Sequence, residues 1–454
     1  MAEPRPGDPQ SGADADRAAA GLPGAPPVAE QHLRRAGIDP DRLSILRLGL
    51  PAGAWRPPYP PWARRLVIGL ILWGALFGLE RTGPALPGWL AAAGALVTGL
   101  ILLQAACAAF IAGSERLAAR LEWDHYVAGT AAEILSTLPE LVAVAFVVPV
   151  SPPAAFTLAL VTIYLNTLVF SLYSFFLPKD TRGKFLMPLP ITEAGTQVLI
   201  AGAAMGLILG LVMLALKVGG HAKAAFAPHD LAVVGSVLLV IFGVYVYKLV
   251  REYAREEDEV REALSLSATE IERRRALVYQ GVTPSTLPVV AWLLAVGALG
   301  AFVGGERVAA FAGVALADLG LNPLLTAIIL AGFAGMSEYV ILWQAHRKGE
   351  YGIALANAFG GITQVMFLVL PFALLAIAGY QGLLQPGHPE LPLEFGLSNL
   401  FLLLFLFPTF FVLLELIEED HTLGILDTTI MTAIVALLIL VLVTYGSGGG
   451  QGGP

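Results

Sequence analysis

Two hydroxyls, a proline and a carboxylate stand together in Ser136-Thr137-Leu138-Pro139-Glu140-Leu141, inside an apolar segment running from about Tyr126 to Val150. Pro139 has no N–H, so a helix through this stretch leaves the carbonyl of Leu135 without its usual donor. A freed carbonyl, two hydroxyls and a carboxylate are hard oxygen ligands, the set that suits a cation. Hydrocarbon offers the backbone no water, so a broken helix at that depth normally lines a polar cavity. A carboxylate there is costly and marks a functional position by default. A proline kink whose Glu140 is paired or protonated for packing fits this stretch equally well.

A second stretch alters that balance. Ala334-Gly335-Met336-Ser337-Glu338 places another carboxylate in an apolar segment. Upstream, Ser114-Glu115-Arg116-Leu117-Ala118-Ala119 recurs as Gly305-Glu306-Arg307-Val308-Ala309-Ala310. On the offset that aligns Glu140 with Glu338, Asn166 falls opposite Gln364. Self-similarity of this kind is the signature of a repeat. Two membrane carboxylates at equivalent positions are hard to explain as packing. Thr162 and Asn166 are one helical turn apart and share a face, which suits either a ligand pair or an interhelical hydrogen bond. Glu133 lies two turns before Glu140 on the same face. It either extends an ion or proton path or sits at the membrane boundary.

The elements that hold these groups follow from composition. The chain has 454 residues, 56% hydrophobic and 14% charged, with a mean hydropathy of +0.73. Soluble domains are about a quarter charged. Many apolar runs reach the roughly 20 residues needed to cross about 30 Å of hydrocarbon. The pattern is that of an all-α polytopic membrane protein, whose partners are the lipid bilayer and whatever it passes. One cysteine, Cys107, excludes an internal disulfide and a thiol metal cluster. Seven histidines without an H-E-x-x-H argue against a zinc hydrolase. No basic, aromatic-interleaved patch suggests nucleic acid.

Residues 1–60 are rich in Pro, Gly, Ala and charge and read as a disordered tail. Apolar segments follow at about 64–80, 88–112, 126–150, 155–178, 187–217 and 231–250. After a charged stretch, 251–284, they resume at about 285–304, 307–345, 352–380, 394–417 and 422–444. The 307–345 run reads as a short amphipathic piece and then a span from Leu321. This makes about eleven spans. An N-terminus in the cytoplasm puts Arg64, Arg65, Arg116, Arg120, Arg347 and Lys348 inside with the 251–284 cluster, and Arg81, Lys217 and Arg307 outside. That is the bias the positive-inside rule expects of a cell inner membrane. The domains are then an extra first helix with a first five-helix repeat over 61–250, a cytosolic linker helix over 251–284, a second five-helix repeat over 285–445 and a Gly-rich tail over 446–454. Five spans per copy force the second copy into the membrane from the opposite side, the inverted-topology repeat of secondary transporters.

The two stretches resemble the alpha repeats of the calcium/cation antiporter superfamily, the sodium/calcium exchangers and their relatives. That pattern carries G-T-S-x-P-E-L and, on the next helix, G-N-x-x-G-S-N. Here the first copy keeps Ser136-Thr-Leu-Pro-Glu140-Leu141 and the second reads Ala331-Gly-Phe-Ala-Gly-Met-Ser-Glu338, then Asn357-Ala-Phe-Gly360-Gly361. The resemblance implies that Glu140 and Glu338 are the central cation ligands. It adds Ser136, Thr137, Thr162 and Asn166 from the first copy, and Ser337, Asn357 and Gln364 from the second. The transported ion it implies is calcium or another divalent cation, exchanged for sodium or protons, with no resident cofactor. Ala334 and Gly335 replace a Thr and a Ser of the pattern, and Gly360 or Gly361 replaces a Ser, which removes hydroxyls of the sodium-type sites. Two other functions remain open to the residues. One is a transporter fold reduced to an ion sensor or scaffold. The other is a membrane enzyme using the glutamates as an acid/base pair, although His125 and His346 lie at segment ends and neither repeat helix offers a histidine beside its glutamate.

Overall fold

The structure is a computed structural model that describes residues 61–82, 86–121, 134–179, 183–187, 191–219, 225–263, 286–347, 351–384, 393–394, 396–418 and 421–445. The expected tails, most of the 251–284 linker and Glu133 lie outside the described residues. Helix α1 spans Pro61–Thr82 and α2 Gly88–Arg120. The short α3, Leu138–Val147, leads into α4, Pro152–Tyr173. Next come α5, Thr196–Val218, and α6, Pro228–Ala263. The second half begins with α7, Leu287–Ala317, and the short pair α8, Pro323–Ala334, and α9, Met336–Arg347. It ends with α10, Tyr351–Gln364, α11, Leu370–Gly379, α12, Leu397–Glu418, and α13, Ile425–Tyr445.

Among the described residues nine helices are long and apolar enough to cross a membrane. Helices α3 and α8 are apolar but shorter, and stand where spans at 126–150 and 321–345 are expected. Both are short because the chain turns beside the glutamate. Thr137 (φ −83°, ψ 3°) interrupts the chain just before Pro139. Gly335 (φ −70°, ψ 0°) ends α8. Ser151 and Asn322 cap the starts of α4 and α8 by accepting from Ala154 N and Leu325 N, as short polar side chains do at helix starts.

Two boundaries differ from expectation. The break expected between residues 304 and 307 is absent, because α7 runs unbroken from Leu287 to Ala317. Gly304 serves packing there and not a turn. A Cβ on it would lie 3.0 Å from the Gly99 carbonyl oxygen and the Leu103 amide, so α2 and α7 cross backbone against backbone, as small residues allow in membranes. Arg307, expected in a loop, is buried in that helix, and its guanidinium donates to Glu80 of α1 and to Glu306, both at 3.0 Å. Four two-residue strands are a second difference. Strand β1, Phe185–Leu186, pairs antiparallel with β4, Thr422–Leu423, and β2, Ala225–Phe226, with β3, Leu393–Glu394. They tie connections of the first half to connections of the second.

Helix α4 is the axis of the bundle. It packs against α8, α10, α11 and α13, and Tyr164, Ile163, Asn166 and Phe170 are all buried on it. Around it α2 crosses α7, α5 packs on α12, and α6 on α11. The extra helix α1 lies outside, against α2, and exposes Val67, Ile71 and Leu79.

Candidate functional site

Glu140 and Glu338 each sit in the first turn of a helix that starts at a break, α3 and α9. In each copy the glutamate follows the turn residue, Thr137 or Gly335, by three positions. The first amide past each glutamate closes the turn, Leu141 N on Thr137 O at 3.1 Å and Tyr339 N on Gly335 O at 3.2 Å. A carboxylate in a first turn faces the positive end of the helix dipole. Both glutamates are buried, at 2% and 5% exposure, and they interact electrostatically with each other. Among the described residues, neither carboxylate oxygen of Glu140 has a hydrogen-bond partner. A buried charge left so is expensive unless something neutralises it.

Glu338 is oriented from α4. Asn166 Nδ2 donates to Glu338 Oε2 at 3.1 Å, while Asn166 Oδ1 is buried with no partner among the described residues. Asn357 of α10 donates to the Glu338 main-chain oxygen at 3.2 Å. Gly361 leaves room for this arrangement, because a Cβ on it would lie 2.6 Å from Glu338 Oε2 and 2.9 Å from Asn166 Nδ2. Asn166 and Val169 of α4, Glu338 and Leu342 of α9, and Asn357 and Ala358 of α10 line a narrow cleft.

The remaining candidates divide. The hydroxyls of Thr137 and Thr162 donate to Ile134 O at 2.7 Å and Leu158 O at 2.8 Å, which leaves each oxygen two lone pairs. Ser136 is buried beside Thr137. Gln364 is buried, with Oε1 unpartnered. Ser337 lies in the first turn of α9, and its side chain is not among those described. Asn166, Asn357 and Glu338 are thus brought into direct contact, while the hydroxyls of Thr137 and Thr162 serve carbonyls of their own helices. Asp427, an acid at a span end, accepts from Gly424 N at 2.7 Å and serves a helix start. Among the described residues, no three of His, Cys, Asp and Glu converge on one point.

One participant escaped the sequence. The Cys107 thiol of α2 donates to Leu135 O at 3.2 Å, the carbonyl that Pro139 frees. The freed carbonyl expected as a ligand is therefore capped by a thiol. Only its nonlocal position hid it, since Cys107 and Leu135 are 28 residues apart.

Residues 289–448 match the sodium/calcium exchanger protein family. In structure the chain is similar to the H+/Ca2+ exchanger CAX, with TM-score 0.57 at 13% identity over 84% of this chain and 88% of that one. It is similar to native YfkE, with TM-score 0.53 at 14% identity over 84% and 98%. The sodium-calcium exchanger NCX_Mj, soaked with zero Na+ and Ca2+, aligns at TM-score 0.44 and 19% identity over 78% and 99%. No curated protein sequence matches the chain significantly.

Proposed function

We infer that this chain, a sodium/calcium exchanger-like member of the cation antiporters, carries calcium or another divalent cation across a cell inner membrane in exchange for sodium or protons. The site is the pair Glu140 and Glu338, one from each inverted copy. The observation that carries this reading is the Glu140 carboxylate, buried with both oxygens unpartnered among the described residues and interacting with a second buried carboxylate. Burying one ion costs several kcal/mol even after relaxation. Two together are tolerable only when a divalent cation, two monovalent ones or two protons balance them.

Each neighbour then has a task. Asn166 holds Glu338 through its amide nitrogen and turns its own Oδ1 to the ion. The carbonyl-type oxygens of Asn166 and Gln364 supply neutral ligands. So do the hydroxyls of Ser136, Thr137, Thr162 and Ser337, those of the two threonines aiming their lone pairs away from the helix carbonyls they already serve. Asn357 fixes the main chain at Glu338. Oxygen ligands in this number suit calcium better than magnesium, which dehydrates reluctantly and keeps several waters. The neutralised site lets the two copies rock about it, while the bare dianion opposes that step. This enforces exchange.

The test is cation-induced stabilisation of the purified protein, scanned across calcium, manganese, magnesium, sodium and potassium at several pH values. Saturable stabilisation by calcium or manganese, lost in Glu140→Ala, supports the reading. No saturable effect from any ion points to a sensor or scaffold without a working site.

A further inference from the structure

We propose that Tyr173, His346 and Tyr351 close the cleft that leads to Glu338, at the end of the bundle carrying the α9–α10 connection. The proposal rests on the transport reading for what passes through the cleft, though not for its closure.

The lining residues mark one wall on each of three helices: Asn166 and Val169 on α4, Glu338 and Leu342 on α9, and Asn357 and Ala358 on α10. Residues about one or two turns apart share a face. One turn beyond Val169 on the same face is Tyr173, and one turn beyond Leu342 is His346. Two turns back from Ala358 is Tyr351. The three walls therefore each end in an aromatic or imidazole ring, and those rings meet. The Tyr173 hydroxyl lies 3.4 Å from His346 Nδ1. The Tyr173 and His346 rings are 5.7 Å apart at 84°, and the His346 and Tyr351 rings 5.3 Å apart at 71°. Edge-to-face contacts of this kind are favoured by ring quadrupoles. Tyr173 is itself buried. Trp343 stacks on the far side of His346, 6.3 Å away at 18°, and is 61% exposed, so it backs the cluster from outside the bundle.

This placement has a mechanical consequence. The rings come from three different helices, so α9 cannot separate from α4 or α10 without breaking a ring contact. Neither phenol nor imidazole supplies the carboxylate or carbonyl shell that a dehydrated hard cation needs. A cation passing this end must part the cluster and cannot bind within it.

The single cysteine makes the closure directly measurable. In a Cys107→Ser background, Val169→Cys places a thiol just inside the cluster. A membrane-impermeant maleimide is applied to inside-out vesicles, the orientation that exposes the α9–α10 end under the positive-inside assignment. Labelling is slow with the cluster intact. It accelerates about tenfold in Tyr173→Ala and likewise in His346→Ala, the factor that corresponds to losing one or two ring contacts. Tyr173→Phe keeps the ring and stays close to the parent. Equal labelling rates in the parent, Tyr173→Ala and His346→Ala overturn the proposal, and three variants on two helices guard against misfolding of any one. Labelling reads access and not flux. A protein that moves no cation yet shows the acceleration refutes the transport reading and leaves the closure standing.

Discussion

Replacing Gly361 by alanine should weaken cation binding by about ten- to a hundredfold while leaving the fold intact. The new Cβ would stand 2.6 Å from Glu338 Oε2 and 2.9 Å from Asn166 Nδ2. Ordinary contact needs about 3.5 Å, so the carboxylate must withdraw by nearly 1 Å. It is the free end of a flexible side chain, so the helices need not move. The movement breaks the 3.1 Å bond from Asn166, a hydrogen bond to a charged group, which is worth about 1.5–3 kcal/mol. At about 1.4 kcal/mol per decade, that gives the stated loss of affinity. Serine has the same Cβ, so Gly361→Ser, which reinstates the hydroxyl of the exchanger pattern, should also lose affinity. The assay is calorimetric titration of calcium and manganese into both variants, with melting of the ion-free protein as control. Wild-type affinity in Gly361→Ala would refute the claim that Asn166 and Gly361 set the position of Glu338.

Other outcomes follow from the same geometry. Cys107→Val strands the Leu135 carbonyl and should cost about 1–3 kcal/mol, read as a lower melting temperature, whereas Cys107→Ser keeps a donor and should stay near wild type. Glu80→Ala removes one of the two carboxylates on buried Arg307 and should lower the melting temperature; the double variant Glu80→Ala, Glu306→Ala leaves the guanidinium unpaired and should lower it more than Arg307→Leu, because an unpaired buried charge costs more than its absence. Cation ligands must be deprotonated, so calcium affinity should fall as pH falls and binding should release protons; calorimetry in buffers of different ionisation enthalpy measures the number released.

Much of this was legible in the sequence where the signal is local. Pro139 and Glu140 announced a break beside a carboxylate, and the offset to Glu338 found its counterpart. Both glutamates do sit one turn into a new helix. Asn166, flagged by repeat alignment, reaches Glu338 directly, although its aligned partner Gln364 does not. What the sequence hid depends on partners distant in the chain. Gly304-Gly305 beside Glu306 and Arg307 looked like a break. Gly304 is instead where α7 crosses α2, Gly305 faces Phe146 and Val142 of α3, and Arg307 is held by Glu80 from a helix more than two hundred residues earlier. Cys107 served only to exclude a disulfide and a thiol metal cluster, and His346 looked like a segment end. Each takes its meaning from a residue on another helix, which periodicity along one helix cannot report.

The central claim is that one carboxylate from each copy forms a single exchange site. Calcium uptake into proteoliposomes, driven by an outward sodium or proton gradient, tests it most directly, comparing wild type with Glu140→Gln, Glu338→Gln and the double variant. Uptake should depend on the gradient in wild type, fall to background in either single variant, and fall no further in the double. Gradient-driven uptake that survives in the double variant would contradict the account.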